Sequence, residues 1–154
     1  MKNRKKITRD GPPHFGEEGR VSIWVGIAPL KKVPKDYFDE NHEDEDAPID
    51  QFAADFGFGY YSHDLVELND EEPKPRPTHE LLAFHSYSMS FIDEAAAAAA
   101  KAGVKTSQFA VVMFDFDYNP KVTGVSRNAY LQFIGSFDYD KDAPVAAEDI
   151  DVTE

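Results

Sequence analysis

The sequence predicts a single α+β domain, a mainly antiparallel sheet of three or four strands covered by helices. Three observations carry that expectation. Phe109 to Phe114 is apolar at every position, the pattern of a strand covered on both faces. Val21, Ile23, Val25 and Ile27 alternate with Ser22, Trp24, Gly26 and Ala28, which is strand periodicity, and Pro29 closes the run. Ser90-Phe91-Ile92-Asp93 has capping-box spacing, and the alanines at 95–100, Lys101 and Gly103 supply a helix body, a basic end and a left-handed stop. At 154 residues and 42% hydrophobic content, the chain holds enough apolar material for one core and too little for two.

Residues 1–19 combine basic charge, Pro12-Pro13 and glycines with almost nothing to bury, so a basic flexible arm is expected ahead of a domain over 20–140. The first strand is expected over 21–28, with Trp24 packed beneath a covering helix or loop. Pro34 is placed to open a helix with Tyr37 and Phe38 on its buried side. From Asp36 to Asp50 the chain carries Asp36, Asp39, Glu40, Glu43, Asp44, Glu45, Asp46 and Asp50 with no intervening Lys or Arg. Self-repulsion should hold 43–47 open and solvated. Ile49, Phe52, Ala53 and Phe56 then follow helical spacing up to Gly57.

Tyr60 to Leu68 has no decisive pattern, and Pro73, Pro75 and Pro77 suggest a stiff extended linker. Leu81 to Phe84 reads as a short strand or a bend, a candidate fourth strand over 81–86. The helix over 90–102 should then lie on the sheet through its alanine face. The strands over 109–118 and 130–139, separated by the turn residues Asn119-Pro120-Lys121 and Gly124, are expected to form an antiparallel pair. In the second of them, Leu131, Phe133, Phe137 and Tyr139 should share one face. The end of the chain, 141–154, is expected to be an acidic flexible tail.

The formal charge is −13, divided as +3 over the first 20 residues and −16 over the rest. Such a balance favours a basic partner and disfavours nucleic acid or an anionic membrane as a direct ligand. With no cysteine, disulfides and thiolate metal sites are excluded, and a reducing compartment suits the composition. The basic start at Lys2 to Lys6 is followed by Thr8-Arg9-Asp10-Gly11-Pro12-Pro13 and not by an apolar h-region, so no export signal is expected. No run approaches the roughly 20 apolar residues of a membrane span. The expected location is cytoplasmic.

The sequence carries only weak imitations of catalytic patterns. His79 and His85 lie six residues apart, about 240° round a helix, where the zinc motif needs histidines at i and i+4. Asp115 to Asn119 imitates the start of a calcium loop, but Pro120 and Ser126 occupy the positions that need Gly and Glu. No serine has a Gly-x-Ser-x-Gly setting and no glycine-rich turn for phosphate follows a strand. No catalysis, cofactor or metal is therefore expected, and the Asp36 to Asp50 run reads as a solvated face. What remains is a mixture of carboxylates and tyrosines suited to a protein interface, Asp55, Tyr60, Tyr61, Asp64 and Glu67. Charge reversal at Asp64 and Glu67 is expected to weaken partner capture without disturbing the fold.

Four stretches taken together resemble one family: Val21-Ser22-Ile23-Trp24-Val25-Gly26; Gln51-Phe52-Ala53-Ala54-Asp55-Phe56-Gly57 running into Tyr60-Tyr61, Asp64 and Glu67; Ser86-Tyr87 with Ser90-Phe91-Ile92; and Leu131-Gln132-Phe133-Ile134-Gly135-Ser136-Phe137. Their order and spacing, over about 21–139, are similar to the immunity protein 22 family of bacterial polymorphic toxin systems. The resemblance implies a small cytoplasmic protein that binds a cognate toxin domain and blocks it, with no reaction of its own. The charge adds the expectation of a toxin with a basic surface, a nuclease above all. An acidic nucleic-acid mimic or adaptor that binds a basic protein is the alternative.

Overall fold

The computed structural model describes residues 6–69 and 74–147. Its strands are β1 (Gly16–Gly26), β2 (Val66–Leu68), β3 (Arg76–Pro77), β4 (Thr106–Ser107), β5 (Ala110–Phe116) and β6 (Leu131–Asp138). Its helices are α1 (Gln51–Phe56), α2 (Thr78–Leu82), α3 (Ile92–Lys101) and α4 (Pro120–Thr123). The main sheet has the order β2-β5-β1-β6, every neighbouring pair antiparallel, and β3 with β4 forms a separate two-stranded ladder. The α+β class follows directly.

β5 and β6 are not paired with each other, as their sequence suggested. β1 lies between them and is antiparallel to both. The reason is burial. Val21, Ser22, Ile23, Trp24 and Val25 are all 0% exposed, so the backbone amides and carbonyls of this segment need partners on both of its edges.

The continuous apolar run of β5 has the predicted consequence, a core on each face of the sheet. One core gathers Trp24, Val111 and Met113 under Phe52 and Phe56 of α1, with Phe58 and Tyr61 from the chain after it. The other gathers Val21, Ile23, Val25 and Val112 under Leu81 and Leu82 of α2 and Ile92 and Ala95 of α3. Ala95 and Ala99 are the buried face of α3, and their small side chains allow close approach. α3 ends at Gly103 (φ +84°), where the amides of Gly103 and Val104 bond back to the carbonyls of Ala100 and Ala99 at 3.0 and 2.9 Å.

Two irregularities rephase the strands. Asp115 sits at φ +57°, so Phe114 joins the second core whereas Phe116 joins the first, with Met113. Ser22 Oγ bridges the break, donating to the Phe116 carbonyl (2.7 Å) and accepting from the Tyr118 amide (2.9 Å). In β6, Phe133 pairs with Trp24 but Gly135 pairs with Ile23, leaving Ile134 as an extra residue. Leu131 and Phe133 therefore pack in the first core and Phe137 and Tyr139 against the second, which corrects the single face expected for all four. A Cβ at Gly135 would lie 2.6 Å from the tip of the Phe137 ring, so a larger residue there would have to displace that ring.

Several smaller expectations are also revised. Residues 81–86 do not form a strand: Leu81 and Leu82 end α2, and β2 occupies the sheet edge beside β5. Pro34 opens only turns over 35–38, although Tyr37 is buried as expected. Ser90 does not cap α3; it lies in a 3-10 turn, donates to the Tyr87 carbonyl (2.7 Å) and accepts from the Asp140 amide (3.0 Å). Of the arm expected over 1–19, residues 1–5 lie outside the described residues; of the rest, Phe15 is buried and β1 begins at Gly16. Of the tail expected over 141–154, residues 148–154 lie outside the described residues. Ala146 and Ala147 are buried, and the Ala147 amide bonds to the Ala83 carbonyl at 2.9 Å.

Candidate functional site

The candidate site lies on the first-core side of the sheet, and α1 organises it. Asp50 caps this helix, one carboxylate oxygen accepting from the Ala53 amide at 2.8 Å, and Gly57 (φ +84°) ends it. The other oxygen of Asp50 accepts from the Tyr61 hydroxyl and lies 3.0 Å from His63 Nε2. The Asp50 side chain is 0% exposed, and that burial pushes its carboxyl above the usual range, against the hydrogen bonds that favour its ionised form. Burial also raises Tyr61, with the Asp50 charge next in effect.

Around this cap the chain draws together two acidic stretches that are separate in sequence. The Asn41 amide bonds to the Ile49 carbonyl (2.7 Å), and the Ile49 amide to the Gly59 carbonyl (2.8 Å). His63 Nε2 lies 2.9 Å from the Phe38 carbonyl. Asn41 Oδ1 accepts from the amides of Glu43 and Asp44, folding the acidic run back on itself as an Asx turn. The result is a cleft of about 570 Å³ lined by Asp36, Asp39, Glu40, Glu43, Asp50 and Gln51 among others, with His42 and no lysine or arginine on its wall. The run expected to be merely open and solvated is exposed over 42–46, yet it is shaped into one wall of a concavity.

The five interface residues predicted from sequence are divided by the fold. Tyr60, 55% exposed, and the exposed Asp64 stand beside the cleft, joined to it through Gly59 and His63. Tyr61 is 2% exposed; its ring packs in the core and its hydroxyl serves Asp50, so it positions the surface without being part of it. Asp55 is half-buried, accepting from Tyr37 Oη (2.8 Å), Gln51 Nε2 (2.7 Å) and Asn128 Nδ2 (3.2 Å). It ties α1 to the segment before β6.

Glu67 lies on the opposite face of the sheet, opposite Val112 and under the turn after α2. It accepts from the Ser86 amide (3.0 Å) and hydroxyl (2.6 Å) and lies 3.1 Å from His85 Nδ1. His85 is buried, and its other ring nitrogen faces Asn69 Oδ1 at 2.8 Å, so both nitrogens meet acceptors. Burial alone would raise the Glu67 carboxyl, but the hydrogen bonds from His85 and Ser86 outweigh it and hold it down at about 2. A carboxyl lowered on folding contributes stability that is present above its unfolded value, about 4.3, and is lost as pH falls toward the folded value. The stability difference between wild type and Glu67→Gln, from urea unfolding, is therefore expected to shrink as pH goes from about 5 to about 2. A constant difference across that window would show that Glu67 is not held by charge.

The cleft residues Asp36, Asp39, Glu40 and Glu43 were missed as a site by sequence reasoning. The available signal was the flanking of an unbroken acidic run by Tyr37 and Ile49, buried anchors that fix both its ends. Among the described residues, no group of three or more His, Asp or Glu is placed to hold a metal ion. No helix among them is long and apolar enough to cross a membrane.

Comparison with known proteins gives one family. The model described as "Immunity protein 22" matches residues 21–140 of the 154. Among curated proteins and among solved structures, nothing matches the chain significantly.

Proposed function

Because the chain belongs to the immunity protein 22 family, we propose that it neutralises a cognate bacterial toxin, most simply a nuclease, by laying its acidic cleft and rim over the toxin's basic substrate groove. The observation that carries this reading is the cleft itself, where four exposed carboxylates and Asp50 converge and, among the described residues that line it, there is no lysine or arginine. Exposed Tyr60 and Asp64 extend the same surface. Charge of this kind accelerates encounter with a basic protein, and the rim tyrosine supplies a ring that can be buried on contact. Blocking is by coverage, in the cytoplasm, with no reaction on the immunity side and no direct contact with nucleic acid or membrane.

The test is capture of the cognate toxin domain, sought first in the product of the adjacent gene. The association rate is expected to fall at least about tenfold between about 0.05 and about 0.5 M salt, as charge-steered encounters do. The captured toxin should lose activity on its substrate. An association rate indifferent to salt, or a captured toxin that remains active, would remove the proposed mode.

A further inference from the structure

Arg9 is twelve residues upstream of the family-matched segment, yet it bonds the backbone of the acidic loop behind the cleft wall. Its Nε donates to the Ala47 carbonyl (3.0 Å), and its Nη2 to the carbonyls of Asn41 (2.8 Å) and Asp44 (3.3 Å). Its own amide donates to the Asp46 carbonyl at 2.9 Å, and Nη1 lies 4.0 Å from Glu40. The side chain is only 14% exposed.

The segment is seated on either side of this contact. Gly59 has no Cβ where one would lie 2.0 Å from the Thr8 carbonyl oxygen, so the chain at Thr8 and Arg9 is pressed onto the rim beside Tyr60. Phe15 packs edge-on against Tyr118 at 5.3 Å and Phe116 at 5.7 Å. Three backbone carbonyls converging from one acidic loop need a donor with a fixed planar fork, which guanidinium has and an ammonium lacks. Left without it, those carbonyls would face one another inside a loop that already carries Glu43, Asp44, Glu45 and Asp46.

We infer that Arg9 is a positioning residue for toxin capture: by fastening the 41–47 loop from behind, it sets the shape in which the cleft meets its partner. The inference rests on the reading of the acidic face given above. It assigns a role in recognition to a segment outside the residues that the family model matches.

The experiment compares Arg9→Ala, Arg9→Lys and Gly59→Ala with wild type in toxin binding and in amide hydrogen exchange. Both Arg9 variants are expected to raise Kd at least about fivefold, chiefly through faster dissociation. Amides of 42–47 should exchange faster while those of β1 and β5 keep their protection. Gly59→Ala, which displaces Thr8 and Arg9 without removing the guanidinium, should give the same pair of changes. Arg9→Lys, which keeps the charge, excludes a purely electrostatic effect if it behaves like Arg9→Ala. A loosened loop with unchanged Kd would make Arg9 structural only, and unchanged exchange would deny the fastening itself; either overturns the inference. The parent reading fails separately, if reversing Asp36, Asp39 and Glu43 also leaves Kd unchanged.

Discussion

Trp24→Ala is expected to destabilise the domain by about 3–5 kcal/mol, a large share of the roughly 5–15 kcal/mol that holds such a domain folded. Trp24 is 0% exposed near the C-terminal end of β1, where the strand is paired on both edges, and its ring lies 5.0 Å from Phe52, 5.8 Å from Phe56, 5.2 Å from Tyr118 and 5.1 Å from Phe133. Alanine would leave an aromatic-lined cavity between α1 and the sheet, and the rings around it cannot all move inward while β1 is paired on both edges. Trp24→Phe separates packing from polarity. The indole Nε1 is buried with no hydrogen-bond partner among the described residues, so phenylalanine removes an unsatisfied donor while keeping most of the ring contacts. It should cost clearly less than alanine in urea unfolding followed by circular dichroism. Equal losses for the two would mean that the indole N–H is satisfied, for instance by a buried water. Because α1 rests on this ring and carries the Asp50 cap, Trp24→Ala should also loosen the cleft.

The two cores show what could be read from the sequence and what could not. A strand with six successive apolar residues has to be covered twice, and Phe109 to Phe114 is. The alanine face of α3 and the helical spacing of Ile49, Phe52, Ala53 and Phe56 up to Gly57 are local signals; the structure has both helices, with Asp50 rather than Ile49 at the start of α1. Strand order is not local. That β1 separates β5 from β6 depends on its two edges, which periodicity does not describe. The faces of Phe116 and Phe137 depend on single irregular residues. Gly135 in a strand hints at a bulge, but nothing in Asp115 announces a positive φ until its carboxylate is seen taking the Gly19 amide (3.0 Å) and the Tyr139 hydroxyl (2.7 Å).

The site divides in the same way. Tyr60 and Asp64, chosen from side-chain type, are exposed in the structure, as an interface needs. Tyr61 and Glu67 satisfy the same rule, but the fold gives each an internal partner 11 or more residues away, which side-chain type does not reveal. Glu67 reversal would break the contacts to Ser86 and His85, so any effect on capture would include one through the fold. The cleft depends on contacts across still longer separations, from Arg9 to Ala47 and from His63 to Phe38. No local pattern records them.

Asp36, Asp39 and Glu43 offer the cleaner binding test. All three are exposed on the cleft, and among the described residues their side chains make no hydrogen bond or ion pair, so their reversal leaves the fold's own contacts in place. Glu40 is excluded because of Arg9. An exposed ion pair contributes about 0.5 kcal/mol, and replacing a carboxylate by lysine both removes an attraction and adds a repulsion of similar size. Three such changes sum to about 3 kcal/mol, or a rise in Kd of roughly a hundredfold for a basic partner. Part of that would come from lost long-range attraction alone. The same change in net charge made at Glu80, Glu94 and Asp142, which belong to the α2 and α3 side of the molecule, isolates that part. It should slow association by no more than about threefold at physiological salt, where fields decay over about 8 Å, and leave dissociation unchanged. Equal losses from the two sets would mean that overall charge, and not the cleft, recruits the toxin; a loss from the second set alone would move the interface to the other face of the sheet.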